Sequence, residues 1–147
     1  MAKEISIGRV ARAVGCKVQT IRYYEEIGLL PQPPRSSGNQ RLYNPALIDR
    51  LKFILHAREL GFPLKGIRDL ISLAGQPDQP CAGADVIARA QLEEIDHRIR
   101  RLQALRGELS RMLDHCEGGR VADCRVIEVL RDHSLCETVD HSVPDGQ

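Results

Sequence analysis

A chain of 147 residues that is 42% hydrophobic and only 3% aromatic, with no tryptophan, has aliphatic side chains for modest helical cores but not for one large globule, so one domain or two small ones are expected. A formal net charge of +1 excludes a global basic excess, so any nucleic-acid surface must be a local patch. Lys3 and Glu4 place charge where a secretory leader would be apolar, and no apolar run approaches the length of a membrane span, which argues against export or membrane insertion and for a cytoplasmic protein.

Taken in order, Ile5 to Val14 reads as a short helix with Ser6 as its cap and Ile7, Val10, Ala11 and Val14 on one face. Gly15 and Cys16 make a turn. A second helix runs from about Val18 to Glu26, with Ile21 inward and Arg22, Tyr23 and Tyr24 beside it, and Gly28 ends it. Two short helices joined by a glycine-containing turn form a helix-turn-helix. The prolines of Pro31–Pro34 block further helix. Ser37-Gly38-Asn39 marks a turn between two short extended pieces, Leu29–Leu30 and Arg41–Tyr43, as in a hairpin wing. Pro45 opens a third helix, from about Ala46 to Leu60, with Leu47, Leu51, Ile54 and Leu55 inward. A fourth follows Pro63, from Leu64 to Ala74, with Leu64, Ile67, Leu70 and Ile71 inward.

The stretch from Ala84 to Leu113 contains no proline, and apolar residues recur along it in a 3-4-3 spacing: Leu92, Ile95, Ile99 and Leu102, then Leu105, Leu109 and Met112. Charged residues such as Arg89, Glu93, Glu94, Arg98 and Arg101 fill the other faces. This is a long amphipathic helix with a narrow apolar seam, the kind that pairs with another helix. At about 1.5 Å per residue it is a rod roughly 45–50 Å long. After it come a glycine-containing loop, one or two helical turns from Val126 to Leu130, and a polar tail from Glu137.

Five cysteines, Cys16, Cys81, Cys116, Cys124 and Cys136, are an odd count, which favours metal binding or burial over disulfides. Cys81 precedes the rod and Cys116 follows it, so within one chain they are kept apart. Two antiparallel copies would bring the front of one rod to the back of the other. Cys116 and Cys124 are separated by seven residues that include two glycines, a loop able to close both thiolates on one ion. Cys81 joins them from the partner chain. Three thiolates suit a soft divalent ion such as Zn, Cd, Pb or Hg. His115 is a possible fourth ligand, and Cys136, His133 and His141 lie in the tail, where a further ligand could fold over the site. Cys16 reads as a small residue in the helix-helix turn.

The motifs Ile7-Gly8-Arg9-Val10-Ala11, Thr20-Ile21-Arg22-Tyr23-Tyr24-Glu25, Gly28-Leu29-Leu30 and Arg41-Leu42-Tyr43, extended by Phe53-Ile54 and Leu60-Gly61-Phe62-Pro63-Leu64, resemble the MerR family of bacterial transcription regulators. The resemblance runs to about Leu130. It implies a mainly α architecture: a winged helix-turn-helix DNA-binding domain (residues 1–75), a linker (76–83), a long antiparallel coiled-coil dimerisation helix (84–114), a metal-binding loop and short helix (115–136), and a flexible tail (137–147). It implies that the second helix enters a major groove with the wing on the flanking backbone. Lys17, Arg22, Arg35 and Arg41 would then offer charge to phosphates, and Thr20, Tyr23, Asn39 and Tyr43 would offer hydrogen-bond donors. Lys65 and Arg68 of the fourth helix are further candidates for phosphate.

Cys81, Cys116 and Cys124 match the positions at which the family's metal-sensing branch keeps its ligands, and cysteine rather than serine at 81 points to a divalent ion. The mechanism implied is that a homodimer holds a palindromic promoter whose polymerase elements are set too far apart. Metal binding then distorts the double-stranded DNA, so RNA polymerase is engaged indirectly through the promoter. A redox or organic-ligand sensor on the same scaffold is the alternative. No Cys-x-x-Cys motif, oxyanion site or cofactor cradle supports an enzyme.

Overall fold

The computed structural model describes residues 5–115 and 119–136. The chain divides into two compact units, Met1–Ala88 and Arg89–Gln147.

The first unit contains β1 (Ile5–Ser6), α1 (Ile7–Val14), α2 (Val18–Glu26), β2 (Leu42–Tyr43), α3 (Pro45–Glu59), α4 (Leu64–Ala74) and the start of α5 (Ala82–Asp114). Val10 and Ala11 of α1, Ile21 and Tyr24 of α2, Leu29 and Leu30 after it, Tyr43, Leu47, Leu51, Ile54 and Ala57, and Ile67 of α4 form one buried cluster. Each helix therefore contributes the face that its apolar spacing marks. Gly15 ends α1 at a φ of 75°, left-handed backbone that glycine adopts without steric cost, and its N–H donates to the Ala11 carbonyl at 3.0 Å. Asn44 caps α3, its side-chain oxygen accepting from the Leu47 N–H at 2.9 Å, with Pro45 at the first helical position.

Two local expectations are corrected. Ile5–Ser6 is a short strand rather than the first turn of α1, and the Ser6 side chain makes no capping hydrogen bond. The strand pairs antiparallel with β2, Ile5 opposite Tyr43 and Ser6 opposite Leu42. Leu29–Leu30 is not the wing's second strand, because both N–H groups are spent on the Tyr24 carbonyl, at 2.9 and 3.0 Å. The wing closes instead through an Arg35–Arg41 bridge, with the Leu42 N–H donating to the Pro34 carbonyl at 2.9 Å.

Helix α5 is unbroken over 33 residues. Along it Leu92, Ile95, Ile99, Leu102, Leu109 and Leu113 are left between 38% and 66% exposed. In the second unit α6 (Arg125–Arg131) lies between two single 3-10 turns, Val121–Asp123 and His133–Leu135. Met112 and Val129 are buried, and they line a cavity of about 350 Å³ with Leu105, Leu109, Leu130 and Cys136. Among the described residues no helix is long and apolar enough to cross a membrane.

Candidate DNA-binding face and thiol set

Helix α2 buries Ile21 and Tyr24, one turn apart, and this turns the opposite face outward. Arg22 and Tyr23 are exposed there, Lys17 is exposed at the helix N-cap, and Thr20 is half-buried. The wing tip is a tight turn in which the Asn39 N–H donates to the Ser36 carbonyl at 2.9 Å and Ser36 donates to the Gln40 carbonyl at 2.7 Å. Asn39 takes a φ of 63°, a left-handed conformation that asparagine tolerates better than most side chains. Arg35 donates to the Asn39 carbonyl at 3.1 Å and stays exposed. Lys17, Arg22, Tyr23, Arg35 and Asn39 thus all stand at the surface of the first unit.

Glu25 joins the wing to α2. Glu25 is 4% exposed, and its carboxylate accepts from Arg41 Nε at 2.9 Å and from the Tyr43 hydroxyl. A buried carboxylate is tolerable only when its charge and lone pairs are matched, and here one cation and one hydroxyl match them. Burial, and then donation to Glu25, push the Tyr43 pKa above the ordinary tyrosine range. Tyr43 is fully buried, which corrects its reading as a surface donor: its hydroxyl already serves Glu25. Arg41 is half-buried and tied to the same carboxylate, so only part of its guanidinium faces outward. Sequence reasoning missed Glu25. The available signal was its spacing of four from Ile21, which puts a carboxylate on the core side of α2.

Arg68, one of two further residues of α4 considered for phosphate, donates from Nη2 to the Ile27 carbonyl at 2.8 Å. Ile27 is the C-cap of α2, so Arg68 serves an orphan carbonyl at the negative end of that helix. Lys65 is exposed.

The thiols are distributed along the chain. Cys81 is exposed immediately before α5, with its Sγ 4.0 Å from Asp85 Oδ1. Cys124 is half-buried at the N-cap of α6, and Cys136 is half-buried beside the cavity of the second unit. Cys16 is half-buried in the α1–α2 turn, where burial pushes its thiol pKa up. His115 follows α5, and its Nδ1 lies 2.8 Å from the Arg111 carbonyl. A carbonyl only accepts, so Nδ1 carries the proton and Nε2 is the nitrogen left to act as a ligand. Cys116 and His141 lie outside the described residues. Among the described residues no three His, Cys, Asp or Glu side chains group closely enough to hold a metal ion. The donor chemistry nonetheless fits a thiophilic ion, with an exposed thiol before α5 and an oriented imidazole and a thiol after it.

The family model for MerR HTH family regulatory proteins matches residues 5–73, and that for MerR DNA binding matches residues 48–112. The chain is 37% identical over 127 residues to the HTH-type transcriptional regulator ZntR of Escherichia coli strain K12, covering 84% of this chain and 90% of that protein. The chain belongs to the MerR family. This MerR protein is also 33% identical over 125 residues to the mercuric resistance operon regulatory protein of Bacillus cereus, covering 84% of this chain and 95% of the relative. Among solved structures it is similar to the transcription regulator PbrR691 from Ralstonia metallidurans CH34 in complex with lead(II). That match has a TM-score of 0.73 and 33% identity, and it covers 86% of this chain and 98% of the other. The MerR protein is therefore a transcription regulator whose relatives include heavy-metal regulators, and its mainly α, helix-turn-helix architecture is that of the family.

Proposed function

We propose that this MerR protein is a metal-responsive regulator that holds a palindromic promoter as an antiparallel homodimer and activates transcription when it binds a soft divalent ion, Zn, Cd, Pb or Hg. The observation that carries the reading is the unbroken 33-residue helix with a thiol before its first turn and a second thiol set beyond its last. A helix of that length is roughly 50 Å long, so its two ends do not share an ion within one chain. The exposed stripe from Leu92 to Leu113 supports pairing with a second copy, because a monomer would leave that apolar row in water. Cys81 of one subunit, with Cys116 and Cys124 of the other, forms the ligand set, and His115 is the candidate for a fourth position beside it. When bound, the ion supplies the positive charge that holds three thiolates together across the subunit boundary.

The chain's own residues do the rest. Lys17, Arg22, Arg35 and Arg41 neutralise phosphates. Thr20, Tyr23 and Asn39 fix register in and beside the groove. A ligand set shared by two chains cannot close without fixing the relative placement of the two DNA-binding heads. Differential binding to one dimer state is then spent on deforming the promoter for RNA polymerase. The linker at 76–83 and the loop at 115–136 bracket the rod in this scheme, and the protein works in the cytoplasm without a membrane.

The test is a mixed dimer. Cys81→Ser and Cys116→Ser homodimers are each expected to lose metal affinity by about 100-fold or more, since each lacks one thiolate in both sites. A heterodimer of the two variants regains one full-affinity site. Wild-type affinity in the Cys81→Ser homodimer, or no recovery in the heterodimer, overturns the shared site.

A further inference from the structure

We infer that Arg68 is the positioning residue through which a change at the Cys81 end of α5 reaches the recognition helix α2. The inference rests on the proposed function and assigns a carrier to the coupling that function requires. The contacts all lie in the first unit. Cys81 is exposed and borders a cavity of about 300 Å³ that Phe53, Leu70, Leu73, Ala74 and Ala84 also line, so it lies beside the end of α4 and the start of α5. The two helices approach closely at glycines. A Cβ added at Gly83 would lie 3.2 Å from Leu73 Cδ1, and one added at Gly66 would lie 3.4 Å from Ile87 Cγ2. Glycine at these two positions leaves room for the facing side chains, so these are the points at which a shift of the first turns of α5 would reach α4.

From α4 the connection to α2 is Arg68. Its guanidinium crosses to the Ile27 carbonyl at 2.8 Å, and Gly28 lies under it, so that a Cβ there would lie 3.7 Å from Arg68 Nη1. Gly28 also has a φ of 78°, so the turn after α2 is left-handed backbone beneath the arginine. The hydrogen bond spans 41 positions in the chain and joins a charged donor to the negative pole of the helix that presents Arg22 and Tyr23. Arg68 itself is exposed and belongs to no buried cluster. Its place at the surface suits transmission better than stability, because an exposed side chain costs the fold little when removed.

The experiment uses the purified full-length protein, zinc and lead salts, and a duplex that the protein selects from a randomised DNA pool. Metal affinity is read by competition with a chromophoric chelator. Duplex deformation is read by energy transfer between dyes at the duplex ends, with and without metal. Arg68→Ala is expected to keep its metal affinity and to hold the duplex without metal within about threefold of wild type. The metal-driven change in duplex state is expected to fall by about tenfold, the scale of mutations that act on coupling. Arg68→Lys, which keeps a cationic donor, is expected to recover part of the response, and it carries the test if the alanine variant loses helical content.

An Arg68→Ala protein that responds as wild type overturns the inference. So does one whose duplex affinity falls equally with and without metal, the mark of a merely structural role. A wild-type protein that binds no metal, or whose duplex ignores it, overturns the proposed function and this inference with it.

Discussion

Replacing Tyr43 by phenylalanine isolates what the buried Glu25 needs from its surroundings. The ring fills the same space, so no cavity is created and only the hydroxyl is lost. In the native chain that hydroxyl donates to a carboxylate that is 4% exposed, while Arg41 Nε donates to its second oxygen at 2.9 Å. A hydrogen bond to a charged group is worth about 1.5–3 kcal/mol, and its loss here leaves one buried carboxylate oxygen without that donor. The larger cost of about 3–5 kcal/mol for stranding a buried charge does not apply, because Arg41 still neutralises it. The expected loss is therefore about 2 kcal/mol, seen as a fall of about 1 M in the urea midpoint at an unchanged slope, followed by far-ultraviolet circular dichroism.

A titration of tyrosinate absorbance checks the same contact from the other side. Burial and the Glu25 carboxylate hold Tyr43 neutral above the ordinary tyrosine pKa of about 10. Its folded pKa exceeds its unfolded one, so this stabilisation is fully present below about pH 10 and is lost as the pH rises through the folded value. Tyr43 is expected to ionise late, and that component should vanish in Tyr43→Phe. A loss of stability under about 0.5 kcal/mol would be that of an ordinary surface change, and together with three tyrosines ionising alike it would refute the argument.

Arg22→Ala is expected to weaken operator binding on every sequence tested and to lower the slope of log affinity against log salt by about 1, with metal affinity unchanged; an unaltered slope would remove Arg22 from the phosphate contacts. Ile99→Glu places a charge in the middle of the exposed stripe of α5, where Ile99 is 46% exposed. Sedimentation equilibrium should show the dimer dissociation constant raised by about 100-fold or more, and metal affinity should fall in the same samples because the ligand set spans two chains. A dimer that persists at wild-type strength would mean that another surface holds the subunits together.

The contrast between α2 and the wing shows which parts of the molecule could be read without coordinates. The spacing around Ile21 and the glycine at 28 marked α2 as Val18–Glu26, and Pro63 with the Leu64–Ile71 repeat marked α4 as Leu64–Ala74, as the structure has them. The long helix was legible for the same reason: it starts two residues before the expected 84 and ends at Asp114, where the helix segment was expected to end. Its apolar row recurs on one face whatever lies around it. The wing was misread because Arg41–Tyr43 looks like a strand from any direction, and nothing local says whether its partner is Leu29–Leu30 or Ile5–Ser6.

What the sequence determined by itself was the set of helices, the seam along α5 and the placing of thiols before and after it. These depend on side-chain periodicity, on glycine and proline, and on position along the chain, all of which act over a few residues. Only the tertiary structure decided that Glu25 takes Arg41 and Tyr43, residues 16 and 18 positions away, and that Arg68 reaches back 41 positions to the end of α2. Such contacts depend on how the chain returns on itself. A charged or hydroxyl side chain reads the same in sequence whether it faces water, DNA or a buried partner, and the return of the chain settles which.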